Sequence, residues 1–130
     1  MEWLIKNDEY DLPNHLRPDC HKEGTTYKAV YGRLHPDLPA GTITSGFMSP
    51  GRGRYTHPFE ARALTAFEAS ILQGFPSSYK FFDDNSYPGN SHLARIIGDA
   101  VSPYMSKLIG LDFGINLLIK NEELIEKKAA

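Results

Sequence analysis

The chain has a single cysteine, Cys20, and that scarcity excludes a good deal. With one thiol there is no internal disulfide framework and no zinc site built on paired cysteines, so a reducing, cytoplasmic location is expected. Cys20 itself sits in Arg17-Pro-Asp-Cys-His21, a setting that reads as an inert small residue. The five histidines, His15, His21, His35, His57 and His92, are scattered without H-x-x-x-H spacing, and no metal site is expected from them. Asp8-Glu-Tyr-Asp11 and Asp83-Asp-Asn85 lack the spacing of a calcium loop. No apolar run approaches the ~20 residues that span a bilayer. Met1-Glu-Trp-Leu-Ile-Lys6 also lacks the long apolar core of a signal peptide, and no membrane association is expected. A basic excess is missing too. The formal net charge is −2, which argues against a free-standing general nucleic-acid binder and requires any contact with a polyanion to be local.

What is present fits one small unit. At 130 residues with 41% apolar composition, the chain can build a core of modest size. Its organisation changes near residue 60. The first part holds six of the nine prolines (Pro13, Pro18, Pro36, Pro39, Pro50 and Pro58), which separate short β-prone runs such as Tyr27-Lys-Ala-Val-Tyr31 and Thr42-Ile-Thr44. The second part reads as helices over about 65–74, 91–97 and 103–120, the last with possible breaks at Gly110 or Gly114. Tyr104, Met105, Leu108, Ile109, Leu111, Ile115, Leu118 and Ile119 recur near the 3.6-residue period and predict a buried stripe. Pro103 suits a first helical turn. In Asn121–Lys128, acidic residues precede basic ones, with Glu123 and Lys127 spaced i, i+4, as in a solvated helix end. The expected class is α+β: a loop-rich first part with short strands, then helices.

Two local patterns carry more information. Thr65 and Glu68 fit the T-x-x-E capping box, Phe67, Ile71 and Leu72 follow on one side, and Gly74 and Pro76 end the helix. Upstream, Arg52, Arg54, His57 and Arg62 cluster around Gly51 and Gly53, which would let a polyanion approach the backbone while arginine offers a fork of donors. The same cluster also reads as a solvated turn whose arginines pair with Glu60 or Asp37.

Taken whole, Arg62-Ala-Leu-Thr-Ala-Phe-Glu-Ala-Ser-Ile-Leu-Gln-Gly-Phe-Pro76 resembles the ninth of the ten sequence blocks of the DNA cytosine-5 methyltransferases. Ser91-His-Leu-Ala-Arg-Ile-Ile-Gly-Asp-Ala-Val-Ser-Pro103 looks like the tenth, usually written around Gly-Asn-Ala-Val-Pro-Pro, with Asp99 in place of the Asn and Ser102 in place of the first Pro. Pro39-Ala-Gly-Thr-Ile-Thr44 and Ser49-Pro-Gly-Arg-Gly-Arg-Tyr-Thr-His-Pro58 are similar to the end of the target recognition region.

The resemblance implies residues 1–60 as part of a DNA-facing recognition region and 61–130 as helices completing a Rossmann-like catalytic domain. It implies Thr42 as a DNA-backbone contact beside the target cytosine, with Thr44, Arg52, Arg54 and His57 as further DNA-binding candidates. Asp99, Ala100 and Val101 become the border of an S-adenosylmethionine site. An ionised Asp99 accepts hydrogen bonds but cannot donate them as Asn can. The family's first eight blocks, with their Gly-rich loop, Pro-Cys-Gln nucleophile and Glu-Asn-Val, have no counterpart here. The implied role is a carboxyl-terminal segment or subunit, inactive alone, whose partners are double-stranded DNA and a polypeptide carrying the remaining blocks. The competing readings are a non-catalytic accessory protein that pairs with another chain, and a small DNA-binding regulator.

Overall fold

In the computed structural model, which describes residues 1–23, 25–27, 29–83 and 85–129, the Thr65–Glu68 signature forms as the sequence predicts. The hydroxyl of Thr65 accepts the Glu68 amide at 3.2 Å, and the Glu68 carboxylate accepts the Thr65 amide at 2.8 Å. Helix α2 (Ala66–Leu72) starts there and ends on Gly74, whose φ of +91° is the left-handed turn that glycine adopts without strain. Gly74 N–H donates to the Ile71 carbonyl at 2.9 Å and Phe75 N–H to that of Ser70 at 3.0 Å, which closes the carbonyl end. Replacing Thr65 with Ala removes the cap and is expected to cost about 1 kcal/mol. An unchanged melting temperature would count against the cap.

A short helix α1 (Glu2–Lys6) opens the chain, and three 3-10 turns follow at Asn14–Leu16, Asp19–His21 and Pro50–Arg52. Helix α3 (Asn90–Gly98) packs on α2 and buries Leu93, Ala94 and Ile97, which fall at helical spacing. Between the two helices, the rings of Phe75, Tyr79 and Phe81 meet pairwise at 4.8–5.0 Å. The core joins Leu34, Ile43, Phe47 and Tyr55 from the loops to Leu64, Ala69, Leu93, Ala94 and Ile97. Side chains from both sides of residue 60 therefore share one interior.

The expected strand at Thr42–Thr44 does not form, and in the 27–31 run, where Lys28 lies outside the described residues, Tyr27 is a bend and 29–31 are turn. Among the described residues there is no β-strand, only isolated bridges between Arg33 and Thr56 and between Thr56 and Ala63. The α+β expectation is thus replaced by helices joined to ordered loops. Backbone pairing here is residue by residue: Tyr31 N–H to the Pro50 carbonyl at 2.7 Å, Leu34 to Thr56 at 2.9 Å, Leu64 to Tyr55 at 2.9 Å. Prolines at positions 36, 39, 50 and 58 remove donors and fix φ too often for a ladder to extend.

The chain divides into two compact units, Met1–Ala100 and Val101–Ala130. The second is helix α4 (Pro103–Ala129), which starts on proline as expected and runs without interruption through Gly110 and Gly114. The cost of each glycine, about 1 kcal/mol relative to Ala, is too small to break so long a helix among good helix formers. The predicted buried stripe is not buried: Tyr104, Met105, Leu108, Ile109, Leu111, Ile115, Leu118 and Ile119 are all exposed. Phe113 and Leu117 place apolar surface between the expected positions, so the helix is apolar on several faces. The Glu123–Lys127 pair lies outside the described side chains. No described helix is long and apolar enough to cross a membrane.

Candidate nucleic-acid interface

The segment carrying Thr42 and Thr44 is held by one buried side chain. Ile43 points into the core while its neighbours face outward, as extended backbone requires. Tyr55, buried beside it, donates its hydroxyl to the Thr42 carbonyl at 3.1 Å and lies 2.9 Å from the Thr44 hydroxyl. The Thr44 hydroxyl also accepts the Gly46 amide at 3.3 Å. Thr42 and Thr44 thus share a rigid outward-facing loop in place of a strand.

The arginine cluster separates into different roles. Arg54 donates to the Tyr10 carbonyl at 2.8 Å, to the Arg33 carbonyl at 3.1 Å and to Asp11 at 2.6 Å, which ties the loop to the first residues of the chain. Arg62 forms a bidentate pair with Glu68, both contacts at 2.7 Å, and reaches Glu60 at 2.8 Å. Hydrogen bonds from Arg62, then from the Thr65 amide and hydroxyl, outweigh burial and hold the Glu68 carboxyl down at about 2. The Glu60 carboxyl is lowered by the same guanidinium, and the Arg62 guanidinium is in turn held more firmly protonated, by Glu68 first and Glu60 second.

His57 is drawn into this network. Its Nδ1 accepts the amides of Phe59 at 3.2 Å and Glu60 at 3.1 Å, which assigns the proton of the neutral ring to Nε2, 3.5 Å from Glu68. The His57 side chain is only 16% exposed. It therefore shapes the 57–60 turn. Arg52 differs from all of these: exposed, with no ion pair or side-chain hydrogen bond among the described residues, it lies across Gly46. A Cβ on Gly46 would come within 2.5 Å of the Arg52 Cδ, so glycine is what allows the close approach.

Asp99 caps the end of α3 with an exposed carboxylate, and the Ala100 carbonyl accepts the Gln73 side-chain amide at 2.8 Å. The same amide reaches the Ile97 carbonyl at 3.3 Å. Val101, 66% exposed, opens the second unit. Cys20 is exposed and free. No group of three or more His, Cys, Asp or Glu able to hold a metal occurs among the described residues.

Sequence reasoning passed over Gln73 and Arg95. Arg95 had a readable signal, since Leu93, Ala94 and Ile97 mark the inward face of α3 and leave it outside.

Comparison with known proteins adds to this geometry. The family description "C-5 cytosine-specific DNA methylase" matches residues 4–113. Type II methyltransferase M1.BsuMI of Bacillus subtilis is 41% identical over 112 residues, covering 85% of this chain and 25% of that protein. Type II methylase M.HgiDII of Herpetosiphon aurantiacus is 39% identical over 101 residues, covering 76% of this chain and 28% of that protein. Type II methyltransferase M.AquIB of Picosynechococcus sp. is 32% identical over an alignment of 91 residues that covers 65% of this chain and 62% of that protein. No solved structure matches the chain.

Proposed function

The chain belongs to the C-5 cytosine-specific DNA methylases, and from that premise we propose that it is a carboxyl-terminal segment or subunit of such an enzyme, completed by a second polypeptide. The supporting observation is a match that takes in most of this chain yet about a quarter of M1.BsuMI. M.AquIB, of which the match takes in 62% and which carries the name of a type II methyltransferase, supports a divided enzyme of the restriction-modification kind. The exposed Phe67, Ile71 and Leu72 of α2 and the exposed apolar residues of α4 are surfaces for the second polypeptide to cover.

In this reading the residues of the chain bind and orient. Thr42 contacts the DNA backbone beside a cytosine turned out of the duplex, with Thr44 next to it on the Tyr55-held loop. Arg52 contributes its unengaged guanidinium. Arg54 and His57 serve recognition by fixing the loops, since their donors and acceptors are engaged inside the fold. Asp99, Ala100 and Val101 border S-adenosylmethionine, which supplies the methyl group for C5. The exposed Asp99 carboxylate fits hydroxyl or ammonium donors of such a molecule and disfavours its carboxylate. Attack at C6 falls to a cysteine of the second polypeptide.

The test is methyl transfer to duplex DNA by this chain alone and with a polypeptide bearing the Pro-Cys-Gln and Glu-Asn-Val blocks. No transfer is expected from the chain alone, and transfer from the pair. Cys20→Ala should leave the rate of the pair near its starting level. Methylation by the isolated chain would overturn the proposal. A stable pair that never methylates would return the chain to an accessory role.

A further inference from the structure

The protein has six arginines, and four are held inside the fold: Arg17 by the Leu12 carbonyl, Arg33 by Asp8, Arg54 by Asp11, Arg62 by Glu60 and Glu68. Arg52 and Arg95 have no such partner among the described residues. Both line the same cleft, of about 500 Å³, whose other polar residues are Ser45, Ser49, Asn90 and Ser91. No carboxylate among the described residues lines it. In a chain of net charge −2, every other arginine is met by an acid or a carbonyl, so this cleft is where uncompensated guanidinium charge collects.

The cleft is also partly built before any ligand arrives. Arg52 leaves the Pro50–Arg52 turn and is packed along Gly46, which restricts a long side chain that would otherwise lose freedom on binding. Arg95 stands on the outward face of α3, whose inward face is locked in the core. Hydroxyls and a side-chain amide line the cleft with the two charges, the mixture of donors that meets phosphate oxygens in protein–DNA contacts.

We propose that this cleft is a phosphodiester-binding site for the backbone of duplex DNA, with Arg52 and Arg95 each engaging a phosphate. The proposal rests on the DNA-methylase reading for the identity of the polyanion. It brings in Arg95 from the helix that ends at Asp99, so the grip on the backbone and the first residue of the proposed cofactor border belong to one element.

The experiment is a salt series of fluorescence anisotropy titrations of the full chain with a labelled duplex oligonucleotide, in parallel with titrations of inorganic phosphate. Arg52→Ala and Arg95→Ala should each lower the slope of log affinity against log salt by about 0.9, and the double variant by about 1.8. Lys at both positions should restore most of the slope. Melting temperatures should move little, because neither side chain has an ion pair or hydrogen bond to lose among the described residues. A slope equal in wild type and double variant overturns the proposal, as does a wild-type chain that fails to bind duplex at low salt. Arginine-dependent binding of inorganic phosphate with unchanged duplex affinity makes the cleft a small-anion site and also overturns it. Methylation by the reconstituted pair separates the two readings. A methylating pair with an unchanged slope keeps the methylase reading and removes the cleft. A reduced slope without any methylation does the opposite.

Discussion

Replacing Gly98 with Ala is expected to destabilise the first unit by about 3 kcal/mol, the upper part of the range for forcing an extra carbon into a packed interior. A Cβ at this position would lie 2.1 Å from the Ser45 amide nitrogen, 2.3 Å from the Thr44 carbonyl carbon and 2.5 Å from the Ser45 Cα. All three are backbone atoms, so no rotamer change relieves the clash. Either α3 or the Thr44–Ser45 loop has to move. In a domain whose total stability is roughly 5–15 kcal/mol, such a loss is large and should lower the melting temperature by about 10 °C. Gly41→Ala is the control: nothing lies within 4 Å of the added carbon, and its melting temperature should stay near that of the wild type. Equal melting temperatures for the Gly98 and Gly41 variants would show that the contact at α3 is not as tight as described. Because the displaced loop carries Thr44 and follows Thr42, a folded Gly98→Ala protein should also bind duplex DNA more weakly.

The second large effect belongs to Glu68. One carboxylate accepts both arms of Arg62, the Thr65 amide and the Thr65 hydroxyl, and its pKa is lowered from 4.5 to about 2. A carboxylate lowered on folding contributes stability that is complete above its unfolded value and is lost as pH falls through its folded one. The window here runs from about pH 5 down to about pH 2, and at about 1.4 kcal/mol per unit it holds about 3 kcal/mol. Glu68→Gln removes the charge while keeping the shape. The variant should melt markedly lower at neutral pH, and its stability should change less than that of the wild type between pH 5 and pH 2. Parallel curves of melting temperature against pH for the two proteins would sink this account.

Why the capping box was legible and the arginine cluster was not is a matter of distance along the chain. Thr65 and Glu68 are three residues apart, and each satisfies the other's amide whatever the tertiary context. Helix α3 was also readable, because its apolar spacing is local. Arg54, by contrast, finds Asp11 forty-three positions away, and no window of sequence contains both. The cluster reads in sequence as a local density of charge or as a turn paired with Glu60 or Asp37; in the folded chain Arg62 does meet Glu60, Arg54 is neutralised by Asp11 instead, and Arg52 is left facing a cleft with Arg95. Strand propensity at Thr42–Thr44 failed for a related reason. A β-prone run needs a neighbour to pair with, and the prolines leave only single-residue bridges. In α4, apolar periodicity predicted burial, but burial requires a covering surface that the helix's own residues do not specify.

The end of α3 is owed to another helix. With no left-handed glycine to turn on, its last carbonyls are met by the Gln73 amide, which bridges Ile97 and Ala100 from just beyond α2. Fraying at that end is consequently not a local event. The Asp99 and Ala100 amides, bonded back to Arg95 and Ile97, are expected to exchange with solvent on the timescale at which the α2–α3 seam opens, not at the rate of a free helix terminus. Order at the edge next to Asp99 is a cooperative property of the helix pair. It survives as long as Gln73 stays docked.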